Sequence, residues 1–591
     1  MNTQRTPQKF AKKPNFLVIL VDEERYPPIY ESQEIQAWRK QNFLAQEFLK
    51  THSLQFHRHY IGSTGCCPSR STLFTGQYPS LHGVSQTVGV AKESFDSDMF
   101  WLNRNTVPTM GHYFRAAGYQ TYYKGKWHIS NEDIITPATH DSIPSYNSLT
   151  GVPDPTREQL YFKANRLNDY GFSEWIGPDP IGNNPRNSAS SAAFGLSGRD
   201  EVYAAETIEL IKSLDDRHSQ SQQRDNQPWL IVSSFVNPHD IALYGDLSAR
   251  LPTFKFEVDP MPAVEPPPTR YETLMTKPRC QASYRDTYPV AFQPITDQSF
   301  YRQLYYQLQK NADHQMMKVL DALIRSSFYE NTIIIFTSDH GDLLGDHGDL
   351  LGAHGDLHQK WYCAYEESTH VPFLIHNKLL FPQPRSLQSL TSHVDLLPTM
   401  LGLANIEISE LQSSLQNSFS EVRPFVGRDL SPLIVETNQT LVMETPIYFM
   451  TDDDVTRGQN QTNVLGRHYS SVVQPNHVET VIAPLYRNNK QEIWKLSRYF
   501  DNVDFWSQPG VMDNISQPIG DPALGQWETL TKTQPVPDEY ELYNLTEDPL
   551  EMYNLAHPTL ATPYTRRIQQ GMILLLIEQR SQKRLYPAQP K

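Results

Sequence analysis

Residues 14–24 read Pro14-Asn15-Phe16-Leu17-Val18-Ile19-Leu20-Val21-Asp22-Glu23-Glu24 (PNFLVILVDEE), an unbroken apolar run that stops on three carboxylates. An aliphatic run with no polar alternation predicts a strand covered on both faces. Polar groups at the carboxyl end of such a strand face the crevice in which open α/β sheets bind ligands. The same figure recurs downstream. WLIVSSFVNPHDI (229–241) runs into Asn237-Pro238-His239-Asp240, and NTIIIFTSDHGD (331–342) runs into Asp339-His340. TVPTMGHYFRAAGYQTYYKGKWH (106–128) predicts a helix ended near Gly118, a strand, and a loop carrying Lys124, Lys126 and His128. Strands that repeatedly discharge ligand-type residues predict an α/β fold, a large, mixed but mainly parallel sheet flanked by helices.

Outside these elements the chain is rich in turn formers. Residues 141–199 and 241–296, the latter containing Pro266-Pro267-Pro268, are expected as long loop excursions. From about residue 440 the pattern turns mixed, with a terminal helix expected over 559–580. The expected division is a larger domain, 1–435, followed by a smaller C-terminal α+β domain, 436–591.

A chain of 591 residues with 38% apolar and 11% aromatic content is globular, and its 44 prolines fit structured loops. A formal charge of -15 argues against nucleic acid as the partner, yet leaves room for a local cationic pocket that takes an anionic substrate. The apolar run Phe16–Val21 is too short for a signal-peptide core, and Met572–Ile577 is far below membrane-spanning length. With four cysteines, two of them adjacent, no disulfide framework is expected, and a cytoplasmic location without membrane contact is.

Three units, HGDLLGD (340–346), HGDLLGA (347–353) and HGDLHQK (354–360), form a glycine-bearing repeat that reads as a duplicated loop rather than a heptad helix. Asp346-His347 copies Asp339-His340; the earlier pair is preferred because it directly terminates the IIIFTS strand.

Asp22, Glu23, Asp339 and His340 supply hard oxygen donors and one imidazole, a set suited to calcium, magnesium or manganese. Arg70, Lys126, His128, His239 and Lys360 supply positive charge or protons for an oxyanion. A nucleophile is expected between the two sets, in GCCPSRSTLFTG (65–76), which holds half of the cysteines.

Cys66, Pro68, Ser69, Arg70, Leu73, Thr75 and Gly76 together resemble the signature of the sulfatase family, a branch of the alkaline-phosphatase-like superfamily. GKWH (125–128), SDHGD (338–342), Lys360, HVDLLPTML (393–401), VGRDLSPLI (426–434) and ELYNLTEDPLEMYNLA (541–556) extend the resemblance along nearly the whole chain. It implies an alkaline-phosphatase-like fold and metal-dependent hydrolysis of sulfate monoesters in the manner of arylsulfatases. Cys66 is implied to be oxidised to formylglycine by a formylglycine-generating maturation enzyme, with Cys67 in a variable position. The resemblance further implies one divalent cation, calcium with manganese or magnesium as alternatives, held by Asp22, Glu23, residue 66, Asp339 and His340. By the same resemblance Arg70, Lys126 and Lys360 offset charge, His239 with Lys360 protonates the leaving oxygen, and His128 takes the proton of the second diol hydroxyl.

Glu23 stands where the family typically has Asp, Asn or Gln, with Glu24 beside it as a competing donor, and His340 stands where many arylsulfatases have Asn. His340 and the NPHD loop look like the phosphonate monoester hydrolase and choline sulfatase branches. The rival expectations are thus a phosphonate monoester or phosphodiester hydrolase using the same site, and a catalytically silent metal-binding homologue.

Overall fold

The computed structural model describes residues 12–131, 134–135, 142–180, 185–192, 198–220, 227–345, 357–435, 445–520 and 525–588. Its larger sheet is built from β1 (Asn15–Asp22), β2 (Ser53–Phe56), β3 (Gln120–Gly125), β4 (Trp229–Pro238), β5 (Thr332–Ser338), β6 (Phe373–His376) and β7 (Arg385–Leu387). The strands lie in the order β3-β4-β1-β5-β6-β2-β7, and β6 alone runs against its neighbours. This is the mainly parallel sheet expected from the sequence.

β1 shows why the opening stretch is unbroken. Phe16, Val18 and Leu20 enter the core on one face, while Leu17, Ile19 and Val21 enter the core on the other, so alternate residues are all buried. Among the helices are α1 (Gln33–Asn42), α2 (Leu44–Lys50), α3 (Cys66–Thr75), α4 (Met110–Ala116), α5 (Arg199–Gln220), α6 (Arg279–Ala291), α7 (Gln298–Arg325), α8 (Glu366–Thr369) and α9 (Pro563–Lys583). α3 and α4 pack on the first face; α2, α5 and α7 cover the second. The central strands are therefore sandwiched, and their polar residues collect at one end of the sheet.

The second sheet is antiparallel throughout, in the order β8 (Ile447–Thr451), β9 (His477–Arg487), β10 (Lys490–Phe500) and β11 (Glu539–Asn544), with α9 packed on it. The chain thus carries the expected smaller α+β part; residues 436–444, at the anticipated boundary, lie outside the described residues. Of the two excursions, 142–180 contains a helix at Pro155–Ala164, and 241–296 contributes α6. No described helix is long and apolar enough to cross a membrane.

Candidate active site

The site is assembled around the first turn of α3. Gly65 precedes it with φ 80°, in the left-handed region, and a Cβ at that position would stand 2.2 Å from both Asp453 Oδ2 and Thr87 Oγ1. Glycine alone lets the chain turn there. Cys66 opens a helix whose ten residues are all buried, so the positive end of the helix lies at its side chain. At the other end Gly76, with φ 64°, terminates the helix.

β1 and β5, adjacent and parallel, bring their terminal carboxylates to the same place. Cys66 Sγ lies 3.2 Å from His340 Nε2 and 3.6 Å from Asp22 Oδ1. The ligand atoms of Asp22, Cys66, Asp339 and His340 all fall within 4.8 Å of one another, and all four residues are buried. Glu23 belongs to a second, overlapping group with Asp22 and His239. Its carboxylate stands 3.1 Å from Lys360 Nζ, while its backbone N–H donates to Asp339 Oδ1 at 3.1 Å. Glu24 turns away, accepting a 2.9 Å bond from Gln46 Nε2.

Arg70, one turn along α3 from Cys66, ties this centre together. Its Nε donates to Asp339 Oδ2 at 2.8 Å, Nη2 to Asp22 Oδ2 at 2.8 Å, and Nη1 to Ser234 Oγ at 3.0 Å and the Lys126 carbonyl at 2.8 Å. With most guanidinium donors committed to protein groups, Arg70 orients the two carboxylates. Lys126 Nζ, 2.7 Å from Asp22 Oδ2, completes the buried ion network, and Ser69 Oγ donates to the Asp339 carbonyl.

The two carboxylates titrate apart. Burial opposes ionisation of Asp22, but Lys126 and then Arg70 outweigh it and hold the carboxyl well below its usual range. Burial, and then the charge of Asp22, push Asp339 up to about 7. Burial also keeps His340 neutral, and its Nδ1 lies 3.0 Å from the Gly341 carbonyl; with the proton on Nδ1, the Nε2 lone pair faces the cluster. The Cys66 thiol is pushed up to about 12 by burial and then by Asp22. A sulfhydryl there stays protonated at neutral pH and is a weak nucleophile.

The remaining expected residues arrive on loops. Lys126 and His128 follow β3, and the backbone N–H groups of Trp127 and His128 donate to the Asp179 carboxylate at 2.8 and 3.0 Å. That grip holds His128 at φ 59°. His239 follows β4, where Asp200 likewise accepts from the N–H groups of Val236 and Asn237 at 2.6 and 3.0 Å. The His239 side chain is 13% exposed and its Nδ1 has no hydrogen-bond partner, so it is the most open member of the group. Lys360 is buried; burial pulls its pKa down, but the sulfur of Cys66 and the carboxylates of Glu23 and Asp22 outweigh it and keep the ammonium charged. Its Nζ also sits 4.7 Å over the Trp361 ring. The loop reaches the site although residues 346–356, which include Asp346-His347, lie outside the described residues.

Asp179, Asp200 and Asp453 were not anticipated from the sequence. Asp453 accepts from Thr87 N at 2.9 Å, Thr87 Oγ1 at 2.6 Å and Trp361 Nε1 at 2.8 Å, bracing Gly65 and the segment of Lys360 from the second sheet. Its signal was available, since Asp452-Asp453-Asp454 follows the apolar strand β8 as Asp22-Glu23-Glu24 follows β1. Asp179 and Asp200 carry no such signal.

A family model described as Sulfatase matches residues 14–406. The chain is 26% identical over 414 residues to an uncharacterized sulfatase, YidJ, of Escherichia coli, covering 68% of this chain and 69% of the relative. It is 26% identical over 451 residues to the choline-sulfatase of Rhizobium meliloti, covering 73% of this chain and 74% of that one. Among solved structures, a phosphonate monoester hydrolase of Agrobacterium radiobacter superposes with a TM-score of 0.55 at 17% identity, over 97% of this chain and 96% of that chain. A 2-O GAG sulfatase gives a TM-score of 0.56 at 18% identity, over 97% and 93%. Both structures share the fold.

Proposed function

The chain belongs to the sulfatase family of sulfate-ester hydrolases, and on that premise we propose that it cleaves aryl-type sulfate monoesters with a formylglycine formed from Cys66 and one divalent cation, calcium, beside it. The observation that carries this reading is the position of Cys66, on the first turn of a buried helix, within 3.6 Å of Asp22 and His340 and beside the Lys126–Asp22 and Lys360–Glu23 ion pairs. A thiol pushed up to about 12 has little use there as a nucleophile, which favours a different group on the same carbon. A hydrated aldehyde would supply a nucleophilic hydroxyl and a second hydroxyl whose deprotonation expels sulfate.

The donor set suits a hard cation. Ionised Asp22, Asp339 once it releases its proton, and the lone pair of neutral His340 converge with the side chain of residue 66. A divalent ion held by them would lower the pKa of the attacking hydroxyl and orient it. Manganese or magnesium would fit the same donors.

The chain's own groups divide the remaining work. Arg70 fixes Asp22 and Asp339, while Lys126 and Lys360 carry the charge that meets the sulfuryl oxygens. His239, the most open imidazole, protonates the departing oxygen with Lys360. His128 receives the proton of the second hydroxyl from a loop that Asp179 holds still. Because every residue of α3 is buried, a maturation enzyme that reads Cys66, Pro68, Ser69 and Arg70 must meet the chain before it closes. The proposed setting is the cytoplasm.

Peptide mass analysis across Cys66 in protein from its native host tests the modification; unmodified cysteine alone would leave a silent metal-binding homologue. Comparing kcat/KM on an aryl sulfate and on an aryl phosphonate monoester tests the substrate. Preference for the sulfate is expected, and a large preference for the phosphonate overturns the choice.

A further inference from the structure

β4 ends at Pro238 and the chain enters a short 3-10 turn, His239–Leu243, in which successive side chains diverge by about a third of a turn. His239 and Asp240 therefore leave the backbone in different directions. The His239 side chain is 13% exposed and has a ligand atom within 4.8 Å of those of Asp22 and Glu23, so it reaches the centre, whereas the Asp240 side chain is 1% exposed and turns into the protein. Yet the two come back together at their ends. Asp240 Oδ1 stands 3.8 Å from His239 Nδ1.

Asp240 is held from outside its own turn. Its Oδ2 accepts from the backbone N–H of Ser190. The Ser190 carbonyl in turn accepts from Lys255 N at 2.7 Å, and Ala192 N donates to the Thr253 carbonyl at 3.0 Å. Segments of both loop excursions thus fix one oxygen of this carboxylate. The other, Oδ1, is buried, and among the described residues it has no hydrogen-bond donor and no lysine or arginine beside it. His239 Nδ1 is likewise buried and without a partner. A carboxylate oxygen and an imidazole nitrogen, both unspent, face each other at about 1 Å beyond hydrogen-bond length, and a buried polar atom left in that state needs a reason.

We propose that Asp240 is the positioning residue of His239: it closes on Nδ1–H, aims Nε2–H at the ester oxygen, and balances the charge of the ring while the ring carries the proton to be given away. The inference rests on the role of His239 in the proposed function. Because Nδ1 is the buried end of the ring, Nε2 is the nitrogen left to meet substrate. As the bond between sulfur and the ester oxygen breaks, its electron pair stays on that oxygen and Nε2 gives the oxygen its proton. The ring returns to its neutral form with Nδ1–H kept on Asp240, and solvent returns the proton to Nε2. A hydrogen bond to a carboxylate is strongest while its donor is charged, so Asp240 contributes in proportion to the help that the departing group needs.

Asp240→Asn tests this, since the amide keeps an acceptor for the Ser190 N–H but sets an NH2 group against Nδ1–H. Measured as kcat/KM on aryl sulfates of graded leaving-group basicity, the loss should grow from about threefold on 4-nitrophenyl sulfate, which leaves with little help, to about a hundredfold on phenyl sulfate. In a His239→Ala background the same change should cause no further loss. Equal loss on every ester, or a second loss in that background, makes Asp240 merely structural and overturns the proposal. A second measurement needs no variant: in a crystal structure of the wild type with orthovanadate in the centre, the gap between Nδ1 and Oδ1 should close to about 2.8 Å, and a gap still at 3.8 Å overturns the proposal. If wild type cleaves aryl phosphonate monoesters and not sulfates, the sulfate reading fails while the same graded series in phosphonates decides Asp240; turnover of neither class overturns the reading and the inference together.

Discussion

Asp22 and Asp339 are buried as deeply as Asp179 and Asp200, yet the two pairs face different partners. The first pair meets charged side chains, Arg70 and Lys126, together with one imidazole. The second pair meets backbone N–H groups, those of Trp127 and His128 for Asp179, and of Val236 and Asn237 for Asp200. Asp22, held by Lys126 and Arg70, keeps its charge available for a cation and a reacting group, and Asp339, raised by burial and by Asp22, regains its charge when a cation takes the place of its proton. A carboxylate ringed by amides spends its oxygens on fixing a loop. Burial alone therefore does not mark a catalytic acid; the kind of donor around it does.

Replacing Asp22 by Asn attacks the first pair where it is most exposed to loss. The change leaves Lys126 buried without its counter-charge and Arg70 with Asp339 alone, which costs about 3–5 kcal/mol of stability. It also removes a ligand of the proposed cation, so kcat/KM should fall by about a thousandfold or more. Thermal unfolding and steady-state kinetics on one preparation check both, and a variant that keeps wild-type turnover removes Asp22 from the centre. Asp200→Asn attacks the second pair. The amide can still accept one bond where the carboxylate accepted two, so the loop before His239 loosens without losing a ligand. Turnover should drop by up to about a hundredfold, the penalty of misplacing a reacting group by an ångström. Bound metal, measured by elemental analysis, should be unchanged; loss of the ion would erase the distinction between the pairs.

The same contrast explains what could be read from the sequence. Asp22, Asp339 and His340 end buried apolar strands, and a strand fixes both the position and the direction of its last residues, so local pattern sufficed. The parallel sheet followed from the same runs. Cys66 and Arg70 were legible because a motif fixes their spacing on one helical turn. Asp179 sits in a proline-rich loop and Asp200 in the first turn of α5, positions where acids are ordinary surface or cap residues. Their partners lie 51 and 52 residues away for Asp179 and 36 and 37 for Asp200, and no local periodicity reports such a contact. The rotation of Glu24 toward Gln46 was equally hidden, since it depends on α2 packing beside β1.

Acidification gives the smallest and most selective test of the comparison. Asp339 is pushed up to about 7 by burial and then by Asp22, and Asp200 is pushed up to about 7 by burial against its two amide bonds. Of the two, only Asp339 lies in the cluster that could hold a cation. Below about 7 a cation must displace the Asp339 proton to bind, so affinity should weaken by about tenfold for each pH unit lost and level off above that point. Asp22, held well below its usual range, adds nothing to this slope in the same window, and Asp200 keeps its proton because no ligand bond forms there. Calcium titrations in buffers of different ionisation enthalpy, near pH 6, should count about one proton released per ion. The count should survive Asp200→Asn and vanish in Asp339→Asn. Two protons in wild type, falling to one in Asp200→Asn, would place the amide-bound carboxylate inside the metal site and merge the two pairs into one.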